Sequence, residues 1–319
     1  MLDMFDANPV LAEVVRSGFT ESRHRGALAA VAADGTFAFT AGNANTPMFP
    51  RSASKPLQAA AMLRAGLPLE GELLALAAAS HSGEDFHVSG VGEILDIVGL
   101  TEGDLQCPPA LPLDQPTAHQ LIRDRDAPQA PVRCNCSGKH AAMLATCIVN
   151  DWPTASYLDP AHPLQLHIGR TIEELALEPI AAIGVDGCGA PLFALTLAGL
   201  ARAFRALVLA PEGTPERKVA DAMRKFPEWT SGTTRDERRL MVAVPGLLLK
   251  SGAEGVNAFA LADGTAAALK IDDGNARACT PVTAAILARL GAQPPADLAV
   301  TPVLGGGEPV GDILAVPSW

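Results

Sequence analysis

Apolar residues follow a strand-like pattern at both ends of the chain and a helix-like pattern between them. Near the start, two apolar runs flank Asp34-Gly35, which predicts a β-hairpin over 25–42. Near the end, two further apolar runs flank Asp263-Gly264 in the same way, and a final strand is predicted at 312–316. We therefore expect strands from both ends of the chain to pair in one sheet.

The middle of the chain has the apolar spacing of buried helices. Residues 101–133 are proline-rich and weakly patterned, and we interpret them as an ordered insertion over the body of the protein. The glycines of 183–191 predict a turn there, because neither a helix nor a strand would tolerate them. Helices are predicted at 57–66, 72–79, 87–98, 117–123, 141–149, 163–177, 191–209, 215–225, 235–244 and 281–290.

Ser52 and Lys55 are three residues apart where the first of these helices begins. Pro56 is tolerated only in the first turn of a helix, so Ser52 lies at its start, one turn from Lys55 on the same face. A lysine that has lost its proton can act as a base for a serine hydroxyl, which makes Ser52 a candidate nucleophile and Lys55 its base. An N-cap serine followed by a surface lysine has the same spacing, so other parts of the chain must support this interpretation.

The order of the predicted elements resembles the scaffold of serine β-lactamases, penicillin-binding proteins and serine glutaminases. Lys250-Ser251-Gly252 stands where that scaffold has a K-T-G strand facing the nucleophile. The resemblance implies an α/β (α+β) fold, with an antiparallel sheet formed by both chain ends and a helical lobe. We expect one discontinuous domain over 1–319, with a sheet lobe at about 9–50 and 245–319 and a helical lobe at about 51–244.

The stretches 136–140 and 186–188 do not belong to β-lactamases. Together with 51–58, 80–84, 250–255 and 269–274 they resemble the bacterial L-asparaginase II family, the zinc-containing rhizobial type. The resemblance covers roughly 9–316. It implies an amidohydrolase that converts L-asparagine to L-aspartate and ammonia.

The same resemblance implies a zinc ion bound by Cys136, Cys188 and the unusual ligand Lys139, with Asp186 near a bound water. Two thiolates with a third donor and an open position suit Zn²⁺ in a site that is not purely structural. Buried structural cysteines are the alternative, and Cys134 stays undecided.

The resemblance also implies a second active-site serine that works with Lys250. Either Ser80 or Ser82 fits, and Ser80 is the first choice. Arg51 could bind a substrate carboxylate through its planar guanidinium, although a surface salt bridge would explain it as well. His81, in the same run as the two serines, is a further candidate for substrate contact, but it fits better as a supporting or core histidine than as a base.

The family resemblance implies a small-molecule substrate, and composition argues against two other classes of partner. The net charge of -11 and the lack of a Lys/Arg cluster argue against nucleic acid and anionic membranes. The most apolar long segment, about 190–210, carries Arg202 and Arg205, which predicts a packed helix and not a membrane span. Residues 1–6 lack the features of an export signal, so the six cysteines are expected to be reduced in a cytoplasmic protein. We also expect a homodimer.

Two other classes of function stay open. A glutaminase or a penicillin-recognising serine acyl transferase on the same scaffold would need Ser52 and Lys55 but no cysteines. A non-catalytic zinc-binding protein would need Cys136 and Cys188 but not Ser52.

Overall fold

The computed structural model describes residues 8–124, 129–316 and 319. Residues 1–6, on which the prediction about an export signal rests, lie outside the described residues. The strands are β1 (Val10–Arg16), β2 (Phe19–Val31), β3 (Phe37–Ala41), β4 (Ile183–Val185), β5 (Pro191–Phe193), β6 (Leu248–Gly252), β7 (Val256–Ala260), β8 (Ala266–Ile271), β9 (Val300–Gly305) and β10 (Glu308–Ala315).

The helices are concentrated between β3 and β6. They are α1 (Lys55–Arg64), α2 (Gly71–Ala77), α3 (Asp85–Ile97), α4 (Gln115–Asp124), α5 (Ser137–Val149), α6 (Pro163–Ala176), α7 (Leu197–Leu209), α8 (Pro215–Lys225), α9 (Pro227–Thr230), α10 (Asp236–Ala243) and α11 (Cys279–Arg289). Within the described residues, no helix is long and apolar enough to span a membrane.

Strands from the two ends of the chain form one antiparallel sheet. In the described part of the chain its order is β6-β7-β8-β2-β1-β10-β9, with β3 also paired to β2. The direct link is between β1 and β10, where Val14 lies opposite Ile313. The predicted pairing of the chain ends is confirmed, and so is the mixed fold class with an antiparallel sheet and a helical part. The division into lobes of one domain stays a prediction.

Both faces of the sheet are buried near its centre, and β2 shows why. Its side chains alternate, so Ala27 and Ala29 face the helices of the middle segment while Leu28 and Ala30 face the cluster that includes α10 and α11. The small side chains let α7 pack closely on β2 and β8. A strand covered on both faces is apolar throughout, as 26–31 is.

The two predicted hairpins are confirmed, and their Asp-Gly turns have a common cause. Asp34 Oδ1 accepts the N–H of Thr36 at 2.9 Å, and Asp263 Oδ1 accepts the N–H of Thr265 at 2.9 Å. These local bonds close the turn without help from the rest of the fold, so short-range patterns were sufficient to find it.

The stretch 183–191 was predicted wrongly as a turn without strands. It forms a two-stranded ribbon, in which β4 pairs with β5 through Ile183 and Phe193. For the same reason the helix predicted from residue 191 begins only with α7, where Thr196 Oγ1 accepts the N–H of Gly199 at 2.9 Å. The sequence analysis did not predict strands β1 and β9, because buried and exposed positions alternate only weakly along them.

Candidate active site

Ser52 lies in a short 3₁₀ turn, Arg51–Ser54, that leads directly into α1. Arg51 has a left-handed φ of 51°, which a non-glycine residue adopts only at a cost of roughly 1 kcal/mol or more. Strand β6 packs against this turn, and a Cβ at Gly252 would lie 2.4 Å from the carbonyl oxygen of Pro50. The glycine therefore permits the close approach that brings β6 to Ser52.

Lys55 is fully buried at the first position of α1. Its Nζ donates to the carbonyl oxygen of Ala79 at 2.6 Å, to Ser80 Oγ at 3.0 Å and to Cys136 Sγ at 3.2 Å. Within the described residues, no hydrogen bond joins it to Ser52 Oγ. The structure therefore pairs Lys55 directly with Ser80, while Ser52 is its neighbour one turn away.

Lys250 is also fully buried, and its partner is Glu237 at the start of α10. Nζ donates to Glu237 Oε1 at 2.8 Å, and the same oxygen accepts the N–H of Ser251 at 2.8 Å. Burial lowers the pKa of Lys250; the charge of Glu237 opposes this effect and the charge of Lys55 adds to it.

Burial alone would raise the pKa of Glu237, but the charges of Lys250 and Arg235 reverse this effect and hold it below its usual value. Glu237 is therefore a carboxylate at neutral pH. Its second oxygen, Oε2, lies 3.6 Å from Arg235 Nη2. One buried carboxylate thus connects the lysine of β6 to an arginine just before α10.

A cavity of about 580 Å³ lies between the turn that carries Ser52, β6 and the start of α10. Ser52 and Ser80 both line it, so the structure brings both predicted serines to one space. A cavity of this size is ample for a small amino acid. Other lining residues include Asn135, Arg235, Glu237, Ser251, Arg277 and Thr280.

Ser80 and Ser82 have different surroundings. Ser80 accepts from Lys55 and lines the cavity. Ser82 is buried and its Oγ donates to the carbonyl oxygen of Ser231 at 2.8 Å. The geometry favours Ser80 as the second serine of the site.

His81 is fully buried and neutral. Its Nδ1 accepts the N–H of Gly83 at 3.1 Å, so Nε2 carries the proton and donates to Ser137 Oγ at 2.8 Å. Burial holds the pKa of His81 well below its usual value. With both ring nitrogens bound to the protein, His81 supports the wall of the site, which is the role that its surroundings favour over substrate contact.

His87, which stacks on His81 with ring centroids 5.1 Å apart, makes folding sensitive to acid. Burial lowers the pKa of His87 to about 4, whereas an unfolded histidine binds its proton near pH 6.5. The unfolded state therefore binds more protons between these values, and the free energy of unfolding should fall by about 3 kcal/mol as the pH drops from 7 to 4.

Urea unfolding of the parent and of His87→Gln at pH 7.5 and 4.5 measures this contribution. Gln keeps a donor for the carbonyl oxygen of Glu228, which His87 Nε2 contacts at 3.0 Å, but it does not titrate. We expect a smaller loss of stability with acid in the variant. An identical loss in both proteins would rule out His87 as a source of it.

The three residues predicted to bind zinc lie together beside this site. Cys136 contacts Lys55, and Lys139 Nζ lies 3.2 Å from Cys188 Sγ, which in turn lies 3.8 Å from Asp186 Oδ2. The described residues contain no group of three His, Cys, Asp or Glu side chains that could hold a metal, either at this position or at any other. Two sulfurs and one amine nitrogen still form a donor set that fits zinc, and the fit depends on Lys139 as the third ligand.

Lys139 must be neutral to bind a metal ion, but its close neighbours are sulfurs and a carboxylate, which stabilise its positive charge. Burial would lower the pKa of Lys139, yet its interactions with the sulfur of Cys188, with Cys136 and with Asp186 outweigh burial and raise it. Hydrogen bonds from the thiols of Cys134 and Cys188 lower the pKa of Cys136 well below its usual value. Ligation would therefore release protons from Lys139 and Cys188.

Arg51 is turned away from the cavity that Ser52 lines. Its Nε donates to Asp186 Oδ1 at 2.8 Å, and its Nη1 lies 3.9 Å from Glu254 Oε1. Arg51 and Glu254 line a different depression on the surface together with Phe49. Arg51 thus connects the turn that carries Ser52 to the loop of Cys188, with Asp186 as its partner.

Glu237 and Arg235 were missed by the sequence analysis, as was Asn135. A buried lysine in a strand needs a negative partner, so the sequence could have predicted that Lys250 pairs with a carboxylate. It could not identify the carboxylate, because only the packing of α10 on β6 brings Glu237 to Lys250.

Two serines and two buried lysines around one cavity define a candidate serine hydrolase of the Ser–Lys type. A model of the L-asparaginase II family matches residues 12–315. The chain therefore belongs to the L-asparaginase II family, and this membership supports an amidohydrolase. No curated protein matches it.

Solved structures with a similar fold are distant. Mglu in its tris and glutamate form is 17% identical, with 90% of this chain and 64% of that chain covered and a TM-score of 0.35. A β-lactamase from Mycobacterium bovis is 14% identical, with coverages of 83% and 94% and a TM-score of 0.44. A Bacillus glutaminase in the presence of 4.3 M NaCl is 14% identical, with coverages of 78% and 84% and a TM-score of 0.32. At these values the three likenesses carry no argument about substrate.

Proposed function

We propose that this protein is an L-asparaginase, which hydrolyses the side-chain amide of L-asparagine to L-aspartate and ammonia. The observation that carries the proposal is the shared cavity of Ser52 and Ser80, with Lys55 bonded to Ser80 and Lys250 held beside them by Glu237. Family membership supports amide hydrolysis, and the size of the cavity suits a small amino acid.

In the proposed mechanism Ser52 is the nucleophile. Lys55, after losing one proton, accepts the proton of Ser52 while Oγ attacks the amide carbon. The carbon–nitrogen bond then breaks, the nitrogen takes up a proton and ammonia leaves. Water hydrolyses the resulting ester, which releases L-aspartate and restores the serine.

Ser80 has a place in this sequence because it accepts a hydrogen bond from Lys55. We assign it the role of passing a proton between Lys55 and the reacting groups. The positive charge of Lys250 makes a further positive charge in the site less favourable. The same contact makes Ser80 the second candidate nucleophile, and substitution of Ser52 by alanine distinguishes the two serines.

One assay separates the proposed function from its alternatives. Purified protein is incubated with L-asparagine, L-glutamine or a β-lactam, and ammonia release or ring opening is measured. We expect turnover of L-asparagine in excess of the other two. Preference for L-glutamine or the β-lactam would favour the glutaminase or acyl-transferase alternative, and no turnover of any would favour the zinc-binding protein.

Zinc is part of the proposal, with Cys136, Lys139 and Cys188 as its ligands. When bound, the ion would supply a positive charge that binds or orients the amino acid. We expect Cys188→Ala to lose its zinc and to raise KM more than it lowers kcat, because the metal acts on substrate binding. Metal analysis and steady-state kinetics measure both effects.

The matched control is Cys147→Ala, which removes another buried free thiol from α5, away from the predicted ligands. It should keep the zinc content of the parent. Equal zinc content in Cys188→Ala and the parent would place the metal elsewhere.

A homodimer and a cytoplasmic location complete the proposal. Exposed apolar side chains at Phe49, Ile183 and Val185 support a self-association surface, and light scattering would test it.

The six cysteines are free thiols, which supports a reducing compartment. Localisation of a tagged full chain would test that location.

A further inference from the structure

Four cationic side chains lie in or directly behind the wall of the cavity, although the chain as a whole has a net charge of -11. The cations are Lys55, Lys250, Arg235 and Arg277, and the anionic groups beside them are Asp236, Glu237 and the sulfur of Cys136. Asp236 already has a partner in Thr280, whose Oγ1 donates to its Oδ2 at 3.0 Å. A cation without a close anionic partner could attract a negative group on the ligand.

Arg51, the carboxylate-binding residue expected from the sequence, already has a partner. Asp186 accepts from its Nε at 2.8 Å, and its side chain lies outside the cavity of Ser52. A substrate carboxylate in that cavity therefore needs a different cation.

Arg235 has the required position and unused donors. It is the residue immediately before α10, lines the cavity, and its side chain is 37% exposed. Within the described part of the chain its guanidinium makes no hydrogen bond, and its one charged contact is Glu237 Oε2 at 3.6 Å. The planar guanidinium can therefore present a pair of N–H groups to a carboxylate.

Arg277 is the other cation on this wall, and its Nε is bonded to a side chain of the sheet. Its Nε donates to His24 Nε2 at 2.9 Å, and His24 Nδ1 lies 2.6 Å from Asp273 Oδ2. This chain of contacts fixes Arg277 to the sheet, which makes it a matched control for Arg235.

We propose that Arg235 binds the α-carboxylate of the amino-acid substrate and so selects for substrates with a free α-carboxylate. The inference rests on the proposed function for the identity of that substrate. Glu237 positions Arg235 through Oε2 and Lys250 through Oε1, so one carboxylate fixes the place of the substrate anchor relative to the lysine.

The test compares L-asparagine with its α-methyl ester, which keeps the side-chain amide but has no α-carboxylate. A charge-assisted bidentate contact accounts for a preference of about 10- to 100-fold in kcat/KM for the free acid. We expect Arg235→Met to lose that preference, by a rise in KM for L-asparagine, with kcat/KM for the ester changed less than about threefold. Arg235→Lys should retain part of the preference, and Arg277→Met should retain all of it.

A second measurement does not depend on turnover: calorimetric binding of L-aspartate to the parent and to Arg235→Met. Loss of binding in the variant would support the anchor even if the parent fails to hydrolyse L-asparagine, an outcome that overturns the proposed function alone. If the parent hydrolyses L-asparagine but Arg235→Met keeps the preference or lowers kcat/KM equally for both substrates, the anchor is overturned and the proposed function stands.

Discussion

Replacing Ser52 with alanine should abolish the release of ammonia from L-asparagine, with a loss of at least about a thousand-fold in kcat. The reason is that the acyl-enzyme cannot form without the Ser52 hydroxyl, whereas the wall of the cavity and the predicted zinc ligands are unaffected. Steady-state kinetics together with zinc content and the far-UV spectrum measure the effect.

Ser80→Ala and Ser89→Ala complete the experiment. Ser80→Ala should slow the reaction less than Ser52→Ala, since it removes a proton relay and not the nucleophile. Ser89 is exposed on α3, away from the cavity, and its substitution should change nothing. Substantial activity in Ser52→Ala, combined with none in Ser80→Ala, would transfer the nucleophilic role to Ser80, the direct partner of Lys55.

Replacing Glu237 with alanine should destabilise the protein by about 3 kcal/mol and remove most of its activity. The substitution leaves Lys250 buried without its negative partner, and an unpaired buried charge is costly. The free energy of unfolding from urea titration and kcat/KM for L-asparagine are the two measurements. Unchanged stability would mean that Lys250 is neutral in the folded protein and that no charge pair exists.

Two variants separate the pair from general effects of mutation. Asp236→Ala removes the neighbouring acid of α10, whose contacts are with the exposed Arg239 and with Thr280, and should cost less than about 1 kcal/mol. The double variant Glu237→Leu with Lys250→Met replaces both charges with apolar groups, so it should regain stability without regaining activity.

The two lysines of the site differ in the partners that hold them. Lys55 and Lys250 are both fully buried, and the charge of the first lowers the pKa of the second. One negative partner, Glu237, holds Lys250, while Lys55 depends on a carbonyl oxygen, Ser80 and the sulfur of Cys136. A change at Cys136 should therefore affect Lys55 directly, which links the predicted metal site to the Ser–Lys chemistry.

The sequence by itself determined the features that depend on near neighbours. The start of α1 follows from Pro56, and it places Ser52 and Lys55 one turn apart. The two hairpins follow from Asp-Gly turns that close through their own side chains. The motifs that resemble the family occur in the family's order, and this resemblance was enough to select Ser80, Lys250 and the cysteines as candidate site residues.

The tertiary structure decided every pairing between distant segments. Arg51 meets Asp186, 135 residues away, and is thereby taken out of the cavity, while Glu237 on α10 reaches Lys250 on β6. Strands β4 and β5 exist because they pair with each other, which the glycines of 183–191 did not predict. Such contacts depend on how helices and strands pack in three dimensions. A buried charge pairs with whichever opposite charge the packing places beside it, and residue spacing along the chain does not specify that neighbour.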